Sequence, residues 1–534
     1  MKKIIRNSVV MTSLLMTPMM VTVPSTAAAE PATVKAHAGL TTVEIDQLVE
    51  RVMQTYQVPG IAVGIIKDGK VIHAKGYGVR NITKKGDVTA ETLFSIASTG
   101  KSMTAAALAL LVDEGKITWK DKVIDHIPDF RLYDPWVTRE FTVKDLLIHN
   151  SGLGIGAGDL MMFPSQDFSR AEIIANLRHL KPVSSFRSEF AYDNLLYIVA
   201  GEVIARVSGM TYEDFIEQRI LKPLEMSHCG ANLKRLKKEK NVADPHMVRD
   251  GKLQATIRDV PLGQPVVFAA AGGIQCSVES ILKWHDMHLH KGKLPNGAVF
   301  LSEEQQAELL TPQTITAVRP TSRDWFGSHF SAYGLGWGLS DFKGYKMAQH
   351  GGGLLGMLSD NVMIPDLNLG VVVYTNQQAG VARPAIVNSI LEAYTSENRT
   401  DWIPRLSEML DKRRAKAAKV TADITDQSDR PAGPFPQYAG IYQDPWFGKV
   451  EISQTPDGLY FTAARSARLK GPMVPYKKNL FIVRWEDRSL DADAYVKFTT
   501  DYSAQPRGIT MKAVSPLTDF SFDFHDLNFQ RIDD

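Results

Sequence analysis

Cysteine is almost missing from this chain: Cys229 and Cys276 are the only two among 534 residues. Two cysteines cannot staple a disulfide scaffold, and no Cys/His spacing resembles a zinc site. An oxidising compartment would permit one disulfide, and the sequence leaves open whether the two meet. Net charge is scarce too. The formal charge is +2, which gives no electrostatic basis for binding nucleic acid or an anionic membrane surface. Past residue 29, no run reaches the roughly 18 apolar residues that span a bilayer. No internal repeat is evident, and neither a metal nor a cofactor is expected.

What is present is ordinary globular material, 44% hydrophobic and 22% charged. The length suggests two or three domains. Lys2, Lys3 and Arg6 form a basic start, an apolar run follows over residues 9–23, and Ala27, Ala28 and Ala29 offer small residues for cleavage. This pattern reads as a signal peptide over residues 1–29, so a periplasmic or secreted protein is expected. Cleavage would remove three basic residues and no acid, leaving the mature chain near neutral.

Residues 42–56 carry apolar positions at helical spacing after a threonine cap. "GIAVGIIKDGKVIHAKGYG" reads as a β-hairpin turning at Asp68-Gly69. Residues 98–114 form an apolar helix ended by Gly115. "TVKDLLIHNSGLG" predicts another helix capped by Thr142 with Asp145. Residues 194–207 and the segment from Thr211 are helical, and "YKMAQHGGGLLGMLSDNVMIPDLNLGVVVYTN" reads as consecutive antiparallel strands. Strands at both ends of a helical middle predict an α+β domain over residues 40–395, its two strand groups joined in one sheet. A charged helix and a Pro/Gly-rich linker follow over 396–435. From 436 to 534, short alternating runs, among them "DFSFDFHDLNF", predict a small closed all-β barrel.

"FSIASTGKSMTAAAL", residues 94–108, combines a hydroxyl and an amine one helical turn apart, Ser98 and Lys101. A serine needs a base to become a nucleophile, and a lysine serves only when neutral. Burial and the positive helix N-terminus both favour the neutral form. The S-x-x-K spacing alone is weak, because Ser280 with Lys283 and Ser340 with Lys343 share it. Context separates Ser98: a strand-like run precedes it, and an Ala/Leu/Val helix follows. Ser95 and Ser102 read as capping or packing residues.

Two further motifs follow in order, Tyr192-Asp193-Asn194 at a helix start and His350-Gly351-Gly352 on a strand. Tyr374-Thr375-Asn376 repeats the first pattern at a strand end, and His37, His228 and His290 repeat the second without strand character. Only Ser98, Tyr192 and His350 combine order with local structure. The set resembles the serine β-lactamase and penicillin-binding-protein superfamily. "YDNLLYIVAGEVIARVSGMTYEDFI", "LKPLEM", "AAAGGIQCSVESILKW" and "YGLGWGL" resemble its class C branch, which includes β-lactamases, D-aminopeptidases, D,D-peptidases and esterases. The resemblance implies an antiparallel sheet flanked by helices with a mostly helical second subdomain. The C-terminal region resembles a lipocalin-like domain appended in this branch.

By this resemblance Ser98 forms an acyl-enzyme and Lys101 takes or relays its proton. Tyr192 passes protons to the leaving group, which requires cations to lower its pKa from about 10. Asn194 orients Lys101 and bonds a substrate amide, while His350 and Gly352 border the substrate. The N–H groups of Ser98 and Gly353 hold the oxyanion. His350 departs from the family's lysine. With an ordinary pKa near 6.5 it is mostly neutral at pH 7, which disfavours substrates held by their carboxylate, β-lactams included. The bland alternative is that His350 braces its strand. His149 reads as a packing or capping residue and Trp337 as core. His285 and His288, at i, i+3, read as a solvated helix end rather than metal ligands.

The leading expectation is an exported acyl-enzyme hydrolase of small peptides, amides or esters, with D-amino-acid peptides favoured. The alternatives are a β-lactamase or penicillin-binding D,D-carboxypeptidase, and a non-catalytic binding protein on a hydrolase scaffold. The expected partner is a small-molecule or short-peptide substrate, and a homo-oligomer stays open. The barrel is expected either to be passive or to reach over the cleft and limit substrate size, with the second favoured.

Overall fold

The computed structural model describes residues 37–164, 167–249, 251–425 and 433–532, so the expected signal segment lies outside the described residues. Asp68 and Gly69 both take positive φ, 51° and 71°, and close the hairpin of Gly60–Lys67 and Lys70–Gly78. That backbone matches the right-handed twist of the paired strands. Gly60–Lys67 then pairs antiparallel with Leu369–Thr375, Ile61 opposite Thr375 and Lys67 opposite Leu369. The two ends of the domain thereby share one sheet. Beyond Leu369–Thr375 it continues through Met357–Ile364, Tyr345–Leu354, Gly338–Phe342, Ser331–Tyr333 and Thr314–Ile315, making eight strands with antiparallel neighbours.

Strands apolar on both faces must be covered on both faces. Ile61, Val63, Val371 and Val373 pack against the helices Thr42–Tyr56, Ala382–Thr395 and Trp402–Thr425. Ala62, Val372 and Tyr374 face the opposite way, toward Val278–Leu289 and the helical subdomain. A Cβ at Gly370 would lie 2.7 Å from the His285 ring, so glycine lets this helix sit close on the sheet. The solvated helix end expected at His285 and His288 is therefore wrong: both are buried. His288 packs between Trp284 and Trp337 and bonds Gln306. Trp337 is core.

The helix expected after Thr142 is also cut short. Thr142 does donate to Asp145, through N–H at 2.9 Å and Oγ at 2.6 Å. Helical structure ends after the single turn Lys144–Leu146. The carbonyls of His149, Asn150 and Gly152 are engaged by the N–H groups of Ala191, Arg187 and Val183. A crossing loop takes the bonds that a longer helix would use.

From Gly440–Asp444 to Asn528–Ile532, eight strands pair in chain order and close into a barrel, with Ile441 opposite Ile532. Tyr442, Phe461, Phe481, Trp485, Phe498 and Phe529 are buried. The barrel docks on the helical subdomain: Phe522 meets Phe163 edge-on at 5.2 Å, and Arg468 pairs with Asp259 at 2.7 Å.

Cys229 and Cys276 form a disulfide between facing strands, Cys229–Gly230 and Gln275–Cys276. The latter also pairs with Phe94–Ser95, which leads into Ser98. Closing a loop of 47 residues' separation restricts the unfolded chain. Replacing both cysteines by serine is expected to lower unfolding stability by about 2–4 kcal/mol, read from denaturant melts of oxidised protein.

Candidate active site

Ser98 sits in the short 3-10 turn Ala97–Gly100, and the α-helix proper starts at Lys101. Ala97 takes φ +48°, a left-handed conformation that costs a non-glycine residue about 1 kcal/mol or more. The bend leaves Ser98 half-buried at the cleft while Ala97, Thr99 and Gly100 are buried. A Cβ at Gly352 would collide with the Ile96 carbonyl and Ser359 and come within 3.0 Å of the Ser98 nitrogen. Glycine at 352 therefore lets the strand Tyr345–Leu354 lie against the serine turn.

Lys101 is fully buried in the helix's apolar surroundings. Its Nζ donates to Ser98 Oγ at 3.2 Å, to Asn194 Oδ1 at 2.7 Å and to the Ala271 carbonyl at 2.7 Å. Burial penalises the ammonium and pulls its pKa from 10.5 to about 7, against the opposing charges of Asp159 and Asp193. A neutral amine is thus accessible near neutral pH, held against the serine hydroxyl. Asn194 turns its amide nitrogen to Asp159 Oδ2, at 2.8 Å.

Tyr192 brings its ring to 5.0 Å from Lys101 Nζ. Burial drives the tyrosine pKa well above 10, and the nearby Ser98 hydroxyl offsets this only in part. No hydrogen bond of normal geometry forms between them: among the described residues the buried Tyr192 hydroxyl has no partner. The expected lowering of this pKa by a cation is thus overturned: desolvation of the phenolate dominates, and Tyr197, Asp159 and Asp193 add to it. This direction favours the neutral phenol near neutral pH.

His149 lies under the Tyr192 ring at 4.2 Å, and its Nδ1 accepts the Asp193 N–H at 3.1 Å. His350 donates from Nδ1 to the Gly351 carbonyl at 2.7 Å and accepts the Tyr333 hydroxyl at Nε2, 2.8 Å away. Burial lowers its pKa to about 3, with Lys101 adding to the effect. It is neutral, with both nitrogens engaged.

A cleft of about 460 Å³ is lined by Ser98, Tyr192, Asn194, His350 and Gly353, with Ile155, Phe163 and Phe190 supplying apolar wall. The structure therefore brings Ser98, Lys101, Tyr192, Asn194, His350, Gly352 and Gly353 to one place. Ser95 bonds Gln275 and Ser102 bonds the Thr99 carbonyl, both buried and away from the cleft. Sequence reasoning missed Asp159, and nothing in its local pattern marks it. It also missed Arg319, Asp519, Phe520 and Ser521, which line the cleft, the last three from the barrel.

The family model described as Beta-lactamase matches residues 45–394. A second, described as a domain of unknown function (DUF3471), matches residues 425–531. The Unguisins hydrolase ungD of Aspergillus violaceofuscus is 26% identical over 452 residues, 77% of this chain and 76% of that protein. Protein flp of Staphylococcus aureus strain N315 is 33% identical over 192 residues, 35% of this chain and 38% of its own. Among solved structures, an octameric penicillin-binding protein homologue from Pyrococcus abyssi superposes with a TM-score of 0.58 at 23% identity, covering 92% of this chain and 100% of that one. A family match over most of the chain, on a fold of the same kind, makes this protein a member of the Beta-lactamase family with an all-β barrel appended.

Proposed function

We propose that the chain is an exported serine hydrolase working through an acyl-enzyme on Ser98, with small peptides, amides or esters as substrates and D-amino-acid peptides favoured. The observation that carries this is a fully buried Lys101 amine 3.2 Å from Ser98 Oγ, with its pKa near 7. Neutral Lys101 takes the hydroxyl proton as Oγ bonds the substrate carbonyl carbon. The N–H groups of Ser98 and Gly353 hold the oxyanion. As the scissile bond breaks, Lys101 returns the proton to the leaving group through the neutral phenol of Tyr192, which gives one proton and takes another. Water enters by the reverse route and releases the acid.

Export is supported by the signal pattern over residues 1–29 and by the Cys229–Cys276 disulfide. The hydrolase relative named for unguisins supports hydrolysis. A homo-oligomer stays within the proposal. Neutral His350 offers no cation to a carboxylate at the position of the family's lysine, and to that extent supports a non-lactam specialisation. Arg319 is the cation lining the cleft among the described residues.

The test is a substrate panel of D-alanyl p-nitroanilide, p-nitrophenyl acetate and a chromogenic cephalosporin. Turnover of the first two is expected, with kcat/KM rising as pH increases through about 7. The sign follows from the base: Lys101 is active only after losing its proton, so acid switches the enzyme off. Rapid cephalosporin turnover would replace this reading with a β-lactamase.

A further inference from the structure

Residues 519–523 form a loop ahead of the last barrel strand. Asp519, Phe520 and Ser521 line the cleft, while Phe522 and Asp523 are buried. Phe522 stays buried against Phe163 and Phe524. Phe520 sets its ring edge-on to Tyr192 at 5.7 Å. Ser521 Oγ donates to Asp159 Oδ2 at 2.8 Å. Asp523 accepts the N–H groups of Gly158 at 2.6 Å and Leu160 at 3.1 Å, fastening the loop on both sides of Asp159.

Asp159 is fully buried, and the same Oδ2 accepts Asn194. Asn194 in turn accepts Lys101, which meets Ser98. Hydrogen bonds thus run without a break from Ser521 in the barrel to the nucleophile in the hydrolase domain. With Ser521 Oγ and the Asn194 amide both donating to it, Asp159 Oδ2 acts as the acceptor that holds the Asn194 NH₂ toward itself and leaves the C=O toward Lys101. A flipped amide would present donors to the lysine. Among the described residues Asp159 Oδ1 has no hydrogen-bond partner, so without Ser521 the side chain keeps only the Asn194 amide as a donor.

We propose that this barrel loop is a working part of the active site, in which Ser521 and Asp159 are positioning residues that set Asn194 and, through it, the amine of Lys101. The proposal rests on the serine-hydrolase reading above. It differs from a passive barrel, and from one that merely limits substrate size, because it places the effect on turnover. The charged or titratable groups around Lys101 are Asp159 and Asp193, which raise its pKa, and the buried histidines 149 and 350, with the Tyr192 and Tyr197 rings at 5.0 and 5.1 Å. Burial and Asp193 hold the Asp159 pKa well above the ordinary carboxylate value, against the opposing bonds of Ser521 and Asn194, and Asp523 beside it is raised in the same way. Loss of the Ser521 bond raises Asp159 further and weakens its charge at Lys101. The acid limb of the rate profile should then move to lower pH.

The experiment uses full-length protein and p-nitrophenyl acetate, with wild type and Ser98→Ala run alongside. Ser521→Ala is expected to lower kcat about tenfold, with KM changed less than about twofold and the acid limb displaced downward. Ser521→Thr, which keeps the hydroxyl, is expected to recover most of the rate. Asp159→Asn is expected to lose at least as much as Ser521→Ala, because an amide no longer forces one orientation on Asn194. A Ser521→Ala enzyme with wild-type kcat overturns the proposal, as does a loss that Ser521→Thr does not recover while the acid limb stays in place. Hydrolysis that survives Ser98→Ala sinks the underlying reading instead, so the two failures are told apart.

Discussion

Ser98→Ala should abolish hydrolysis of activated esters and D-alanyl anilides, with kcat/KM falling at least about 10⁴-fold. No neighbouring hydroxyl can replace it. Ser95 is buried and bonded to Gln275. Ser102 is buried, bonded to the Thr99 carbonyl and to the Trp284 indole. Ser98 itself is half-buried at the cleft, so removing its Oγ leaves no cavity in the core. The variant should melt within a few degrees of wild type, which separates lost chemistry from lost fold. Steady-state rates together with a thermal melt check both halves.

Lys101→Met should cost at least about 10³-fold in kcat/KM. Methionine matches the aliphatic stem but cannot accept the Ser98 proton. The change also leaves Asn194 Oδ1 and the Ala271 carbonyl without the lysine donor, a penalty of about 1–3 kcal/mol. That loss is offset by no longer burying an ionisable amine, so the net stability change should be small beside the loss of rate. Lys101→Arg should not rescue activity, because a guanidinium stays protonated and cannot act as the base. Measuring kcat/KM for both variants from pH 6 to 9 checks this. Wild type should climb through about 7, and neither variant should show that limb.

The parts of the site legible in the sequence were those encoded by local pattern. Ser98 and Lys101 were readable because one turn separates them at the head of an apolar helix. Asp68-Gly69 announced its hairpin, and antiparallel strands at the two ends of the domain implied a shared sheet. What escaped was set by contacts distant in sequence. Asp159 meets Asn194 from 35 positions away, and no local period singles it out. The alternation in "DFSFDFHDLNF" read as a strand, yet only Asn528–Ile532 is one. Among the earlier residues Phe522 and Phe524 anchor in the apolar interior, while Phe520 and Ser521 face the hydrolase cleft. Tyr192 was misjudged for a related reason: residue type suggests a cation effect, but burial decides its acidity. His285 and His288 looked like a solvated end until the glycine at 370 allowed their helix onto the sheet.

The central claim is that a neutral Lys101 makes Ser98 a nucleophile. Its most direct test is labelling of the full-length protein by a fluorophosphonate, followed by intact-mass and peptide mass spectrometry across pH. One adduct per chain is predicted, on Ser98, forming faster as pH rises through about 7, and lost in both Ser98→Ala and Lys101→Met. An adduct on another residue, or labelling of Ser98 at a rate indifferent to pH and to Lys101→Met, would contradict the account.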